Sequence, residues 1–269
     1  MRDHDLTIGP ISGHFRTLAI PAAMGMLFTT LYNVVDVYFA GQLSTDAQAG
    51  LAIGFQAFFI MMAIGFGTGS AMGALVGNAR GKKDDAMARR IAMQGLSFAI
   101  AAIVMLFVLG FLAGPSIIAL VSEPGAYRDA ATGYYYWLLA ALPGFVIAFT
   151  ANGILQAHGD SVTMQRAMMV AFVANIGLNP LFIYGIPGII AGFGFNGIAL
   201  ATVVSQTGVM LFVLRSVLRL RVIKGARFSE LAPDGQSYRE VFKQMIPTSS
   251  AFMVMFISGF VVQYALKGF

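Results

Sequence analysis

Cysteine is absent from all 269 residues, which excludes a disulfide scaffold and any thiolate-ligated metal site. Charge is nearly as scarce, because Asp, Glu, Lys and Arg together make up 11% of the chain against 58% hydrophobic residues. With a mean hydropathy of +0.76, the composition falls outside that of soluble domains and reads as an all-α, multi-pass membrane protein. There is no H-E-x-x-H and no G-x-S-x-G, so neither an intramembrane protease nor a hydrolase is expected, and the chain reads as no enzyme. Residues 1–5 are acidic and lack the basic start and small-residue cleavage site of a removable signal peptide.

What is present is a series of apolar runs. A bilayer takes about 20 helical residues to cross, and suitable runs occur near residues 15–40, 47–77, 91–113, 133–157, 165–187, 196–215 and 245–266. Placing the N-terminus inside puts every Lys and Arg except Arg128 and Lys267 on the cytoplasmic side, as the positive-inside rule requires. The net charge of +5 is therefore a property of inner loops, and no nucleic-acid partner is expected. Membrane lipids are. The chain divides into a tail (1–14), a six-helix transmembrane lobe (15–215), a basic amphipathic linker (216–244) and one further helix (245–269). The linker interleaves Val217, Leu218, Val222 and Ile223 with Arg219, Arg221 and Lys224, the pattern of a surface helix along the inner leaflet. Beyond it, Met245-Ile246-Pro247 echoes Ala19-Ile20-Pro21, each after a basic residue, as if a second repeat were beginning.

Of the twelve acidic residues, eleven fall in predicted loops or tails, and Asp36 alone lies inside an apolar run, at residues 18–40. A carboxylate at membrane depth is costly and usually marks an ion or substrate path. The competing reading is a helix cap at the interface. Gly25, Thr29, Tyr32, Asn33 and Asp36 recur at three- and four-residue spacing and form one polar stripe on the first helix. The fifth helix carries Asn175 and Asn179 on one face, followed by Pro180, which cannot donate to the carbonyl of Ile176. Thr202 and Gln206 lie one turn apart on the sixth helix, and Asn152 and Gln156 on the fourth. Counting at about 1.5 Å per residue from the outer helix ends puts Asp36 roughly 6 Å deep, Thr202 roughly 9 Å and Asn179 roughly 12 Å, so the three can meet. Such an oxygen-rich group suits H⁺ or Na⁺. Each amide taken alone reads as an ordinary interhelical hydrogen bond.

Other features carry less. Gly65, Gly69, Gly73 and Gly77 form a smooth strip for close helix packing. Tyr134, Tyr135, Tyr136 and Trp137 read as an interfacial aromatic belt, with an aromatic wall for an organic substrate as the alternative. Gly192, Gly194 and Gly197 satisfy G-x-G-x-x-G in an outer loop with no strand expected before it, and His158 with Asp160 reads as a turn.

Pro21, residues 31–36 (LYNVVD) and residues 40–43 (AGQL) together resemble the first helix of the multidrug and toxic compound extrusion (MATE) transporters. Residues 175–184 (NIGLNPLFIY) and 197–206 (GIALATVVSQ) resemble the fifth and sixth helices of that family, nearest its DinF-type branch. The resemblance runs from about residue 10 to the end. It implies a cation-coupled antiporter in the cell (inner) membrane, with two six-helix lobes opening alternately to either side. It also implies that Asp36 takes part in H⁺ or Na⁺ coupling, with Asn175, Asn179 and Thr202 around it, and that the first helix bends near Pro21. Pro180 is the second helix-bending candidate. Tyr32, Asn33, Asn152, Gln156 and Gln206 are the candidates for substrate or polar lining. Many relatives carry Asp-Pro where this chain has Asn179-Pro180, and an amide ligates Na⁺ but takes up no proton at physiological pH. No cofactor beyond the coupling ion, and no metal beyond Na⁺, is implied.

The expected function is export of small organic compounds, cationic or amphipathic, in exchange for H⁺ or Na⁺. Family members have twelve helices, so this chain reads as the first lobe plus one helix of the second, truncated, with the missing lobe or a second chain required for transport. A lipid-linked precursor transporter and a half-transporter inactive alone are the alternatives. A seven-helix retinal protein would need a lysine midway along its last helix, where this chain has only Lys267 at the end.

Overall fold

The computed structural model describes residues 11–266. Its elements are α1 (Ile11–Leu43), α2 (Thr45–Gly81), α3 (Asp85–Val121), α4 (Ala126–Leu139), α5 (Leu142–Ala157), α6 (Thr163–Tyr184), a two-residue hairpin of β1 (Gly185–Ile186) and β2 (Ile190–Ala191), α7 (Asn196–Leu218), a 3-10 turn (Phe228–Leu231) and α8 (Gly235–Leu266). Among the described residues six helices are long and apolar enough to cross a membrane, and α4 with α5, bent by 50°, makes a seventh if the pair is taken as one span. The all-α, multi-pass architecture expected from composition is the one observed.

The bend departs from the single helix expected over residues 133–157, and its cause is Pro143. Without an N–H, Pro143 cannot bond the carbonyl of Leu139, and its ring clashes there, so α4 stops at Leu139 and Pro143 sits in the first turn of α5. Helices α2 and α3 overrun the expected spans because each has a side-chain cap. Ser44 Oγ accepts from the Ala47 N–H at 3.0 Å and Asp84 Oδ1 from the Met87 N–H at 2.9 Å, satisfying N–H groups that the first turn leaves free. At 37 residues each, both helices reach about 55 Å, well beyond a hydrocarbon core.

Helix α2 is the hub, packed against α3, α4, α5 and α8. Its glycine strip does the packing expected of it, and the tightest point is with α5. A Cβ on Gly153 would stand 2.0 Å from the carbonyl oxygen of Gly69, so the two backbones meet where only glycine fits. One core cluster gathers Met72, Val76, Ile154 and Val213, and a second gathers Phe58, Met62, Tyr134 and Leu138. The outer face of α3, with Val104, Phe107, Val108, Phe111 and Leu112 exposed, is a lipid-facing surface.

Two expectations are corrected here. Tyr134 and Tyr135 are fully buried, not a headgroup belt. Tyr134 stacks on Phe195 at 5.3 Å, and Tyr135 donates to the Gly110 carbonyl at 3.0 Å, filling the space that Gly110 and Gly114 leave on α3. Of the four aromatics, Trp137 is the one that is exposed. The linker, moreover, is not a surface helix. Helix α7 ends at Leu218, the chain turns through Gly225 at φ 82°, and residues 235–244 already belong to α8. Of the apolar residues that suggest an amphipathic face, Val217 and Ile223 are absorbed by the core, together with Leu220.

The linker is clasped to the start of α3. Arg89 grips Glu230 with both Nε (2.8 Å) and Nη2 (2.5 Å), and Arg90 donates to Asp234 at 2.9 Å. Gln94 Nε2 reaches the carbonyls of Glu230 and Ala232, both at 2.8 Å, while its Oε1 accepts from the Asp234 N–H at 3.0 Å. Hydrogen bonding to Arg89 holds the Glu230 carboxyl down at about 2. The Asp234 carboxyl is likewise held at about 2, chiefly by the Ser237 hydroxyl and N–H that it caps and then by Arg90.

Candidate functional site

Asp36 is placed by the stripe on α1 that packs against α6 and α7. It is 4% exposed, and each carboxylate oxygen has one donor. Asn179 Nδ2 donates to Oδ1 at 2.8 Å, and the Thr202 hydroxyl to Oδ2 at 3.2 Å. Asn179 Nδ2 also donates to Asn175 Oδ1 at 2.9 Å, the i, i+4 partner on the same face of α6. Asn175 and Asn179 are fully buried and Thr202 is 1% exposed. The four residues drawn from three separate sequence segments thus form one connected cluster. An interfacial cap is ruled out as the geometry of Asp36, since its partners come from α6 and α7.

Three polar atoms of this cluster stay unpaired. The Tyr32 hydroxyl, Asn175 Nδ2 and Asn179 Oδ1 are buried without a hydrogen-bond partner. Unsatisfied buried polar atoms are uncommon and ask for an explanation. The Asp36 carboxylate, the Asn175 amide oxygen and the Thr202 hydroxyl gather oxygens from α1, α6 and α7 around the Asn179 amide. Hard-cation coordination by Na⁺, or proton uptake at the carboxylate, is chemistry such a group can perform.

The structure places Tyr32 in this cluster, not at a substrate surface as the sequence suggested. Asn33 is half-buried and belongs neither to the cluster nor to the cavity described next. Pro180 lies inside α6, which continues through it to Tyr184. Pro21 falls within α1, but its side chain lies outside those described.

One face of the helix bundle holds a cavity of about 850 Å³. Gly25 and Thr29, the inner half of the α1 stripe, line it together with Gly69 and Ser70 of α2 and Thr248 of α8. Of the remaining lining candidates, Asn152 and Gln156 of α5 and Gln206 of α7 all line this space. Phe66, Phe145, Phe149 and Phe252 add aromatic surface. No Asp, Glu, Lys, Arg or His is among the lining residues described.

Sequence reading missed Gln165, which also lines the cavity. The signal was available: Gln165, Met168, Phe172, Asn175 and Asn179 follow three- and four-residue spacing along α6. Gly25 makes room for it, because a Cβ there would come within 2.9 Å of Gln165 Cγ. The G-x-G-x-x-G match sits after the short β hairpin and at the start of α7. The hairpin is antiparallel and joined to no βαβ unit, so it offers no dinucleotide fold. Asp160 caps α6 by accepting from the N–H groups of Val162 and Thr163, in keeping with a turn.

Comparison with known proteins bears on the family and the fold. The chain is 29% identical over 203 residues to the probable multidrug resistance protein YoeA of Bacillus subtilis, covering 75% of this chain and 43% of that protein. It is 25% identical over 268 residues to the multidrug export protein MepA of Staphylococcus aureus, covering 97% of this chain and 57% of MepA. Among solved structures, an outward-facing conformation of a multidrug resistance MATE family transporter of the MOP superfamily superposes with a TM-score of 0.82 at 26% identity, over 92% of this chain and 54% of that one. The chain therefore spans about half the length of the relatives it matches. The MatE family model matches residues 21–181, more than half of the chain, and the protein belongs to the MatE family of membrane transporters.

Proposed function

We propose that this chain forms part of an exporter of small amphipathic organic compounds, driven by counterflow of H⁺ or Na⁺ through alternating access. The observation that carries the proposal is the pairing of a sealed cation-type cluster at Asp36 with a separate organic-sized cavity on the same helix. In this reading Asp36 takes the coupling ion, Asn175, Asn179 and Thr202 position it, and the cavity holds cargo. The names of the relatives, a multidrug export protein and a multidrug resistance protein, support cargo of this class.

Alternating access needs two bodies that rock against each other. Only 11% of the membrane window of α8 is buried, with Val254, Ile257, Val261 and Val262 among its exposed residues. We assign that face to a second helical body, either the other half of a longer protein or a second chain.

The test is dye efflux from proteoliposomes containing the protein, with an imposed Na⁺ or pH gradient and with Asp36→Asn as the comparison. The gradient that accelerates efflux identifies the ion, and Asp36→Asn should abolish that acceleration while inserting normally. Gradient-driven efflux by Asp36→Asn equal to the parent's would sink the proposal.

A further inference from the structure

Helices α6 and α7 pack side by side and are joined at their outer ends by the β hairpin. Asn179 of α6 and Thr202 of α7 both donate to Asp36, so these two positions are level. Moving away from the hairpin, Arg166 lies thirteen residues from Asn179, and Arg215 thirteen residues from Thr202. At about 1.5 Å per residue the two arginines share a depth, roughly 20 Å from Asp36 toward the inner end. Thirteen residues also turn a helix by about 3.6 turns, so each leaves from the face opposite the one that meets Asp36. Both are exposed, as is Arg219 one turn beyond Arg215.

That face is apolar along its length. Met169, Val170 and Val173 of α6 and Val204, Leu211 and Phe212 of α7 are exposed on it. It is turned away from the cavity, which meets α6 through Met164, Gln165 and Met168 and α7 through Gln206. Helix α8, the start of the second body, packs on α2 and α3 instead. Lipid is therefore what covers this face.

A single arginine at a helix end reaches the interface by itself. Two at one depth on packed neighbours do more, because helix axes about 8–10 Å apart let both guanidinium forks close on one phosphate. Asp160, at the same end of α6, is occupied in capping that helix. Basic pockets between membrane helices on the cytoplasmic side suit anionic headgroups. Phosphatidylcholine brings the same phosphate with its own cation, which three guanidiniums repel.

We infer that the inner end of the α6–α7 face is a binding site for an anionic phospholipid of the inner leaflet. Arg166 and Arg215 grip its phosphate with Arg219 beside them, and its acyl chains lie along Val170, Val173, Leu211 and Phe212. The site is independent of the cavity and of any ion coupling at Asp36.

The chain has no cysteine, so one introduced thiol takes a label cleanly. Val170→Cys, one turn from Arg166, reports the site, and Val104→Cys on the exposed face of α3 is the comparison. Each full chain is labelled with bimane and placed in phosphatidylcholine vesicles with a few per cent of a nitroxide-chain lipid, either phosphatidylglycerol or phosphatidylcholine with identical chains. At Val170→Cys, half-maximal quenching should need roughly fivefold less of the phosphatidylglycerol, whereas the two lipids should quench alike at Val104→Cys. Adding Arg166→Gln, Arg215→Gln and Arg219→Gln should bring the Val170→Cys ratio to about one. Equal quenching by the two lipids at Val170→Cys, or the same preference at both labels, overturns the inference, and these comparisons need no arginine variant to fold. Quenching by neither lipid at Val170→Cys means that protein covers the face, and overturns it too. Glycerol 3-phosphate that abolishes the preference, where chloride of equal ionic strength does not, would show a site for a free anion and refute the lipid assignment.

Discussion

Replacing Asn179 with leucine keeps the volume of the side chain and removes the group that ties Asp36 to α6. Two hydrogen bonds go with it, to Asp36 Oδ1 at 2.8 Å and to Asn175 Oδ1 at 2.9 Å. The bond to the carboxylate is worth about 1.5–3 kcal/mol, and the fully buried Asn175 oxygen left behind costs about 1–3 kcal/mol more. Asn179 Oδ1 is already without a partner, so deleting it recovers part of this, and a net loss of about 2–4 kcal/mol is expected for Asn179→Leu. Asp36→Leu with Asn179→Leu removes the stranded carboxylate as well. A buried polar pair replaced by apolar groups is often close to neutral, so the double variant should be more stable than the sum of the single ones by at least about 2 kcal/mol. Unfolding in mixed micelles titrated with SDS, followed by circular dichroism, measures all four corners of the cycle. If Asn179→Leu unfolds within about 0.5 kcal/mol of the parent, or the two substitutions simply add, then Asp36 is not held by this amide and the cluster as described is wrong.

The remaining predictions concern packing and the linker. Gly153→Ala drives a Cβ to 2.0 Å from the Gly69 oxygen and 3.1 Å from the Gly73 nitrogen; both are backbone and cannot rotate away, so a cost of about 1–3 kcal/mol or more is expected in the same unfolding assay. Gly177→Ala, in α6 with nothing within 4 Å of the added carbon, should instead gain roughly 0.5–1 kcal/mol, and equal effects at the two sites would refute the close crossing of α2 and α5. The clasp should resist mild acid. Because Glu230 and Asp234 are both held at about 2, below the ordinary carboxylate value of about 4, their contribution is complete above pH 4 and fades only as pH falls toward 2. Hydrogen exchange of residues 226–234, corrected for intrinsic rates, should show constant protection from pH 7 to 5 and loss between pH 4 and 2. Protection that falls near pH 6 would contradict the pairing.

How much of this was legible in the sequence depends on what kind of fact each element is. Helix number follows from run length, since every backbone polar group in a bilayer must be paired within its own segment. Asp36 stood out because its eleven acidic companions all lay elsewhere, and its neighbours could be found because helical spacing and rise convert residue numbers into faces and depths. The bend at Ala140 and Ala141 was readable too, from Pro143, but an unbroken apolar run hides a proline that merely relocates a helix start. Tyr134 and Tyr135 were misread for another reason. An amphipathic ring suits both an interface and a core with one acceptor to offer, and only the three-dimensional position of Gly110 and Gly114 decides between them. The linker failed likewise: basic residues alternating with apolar ones describe a surface helix or a turn whose apolar members dip into the core, and no periodicity distinguishes the two in so short a stretch.

The Asp36 cluster and the cavity are separate spaces served by the same two helices, which bears on how one could influence the other. On α1, Thr29 faces the cavity, whereas Tyr32 and Asp36 face α6 and α7. The seven steps from residue 29 to residue 36 span about 10 Å, two turns of one rigid element. On α7, Thr202 donates to Asp36 and Gln206, one turn further, is a wall of the cavity. Neither route needs a ligand of the cavity to touch Asp36. A ligand that changes how tightly Asp36 binds Asn179 and Thr202 changes the seating of α1 on α6 and α7, and with it the distance across the cavity from Thr29 to Asn152 and Gln165. By reciprocity, on the proposed function, a ligand of the cavity that pries α1 from Gln165 changes binding at Asp36 by the same factor by which binding at Asp36 changes its own. The glycine at position 25 sets that contact, since Gln165 lies across α1 where a Cβ would collide at 2.9 Å. The linkage proposed for this protein therefore rests on one helix with a polar stripe whose outer half binds to its neighbours and whose inner half faces the cavity.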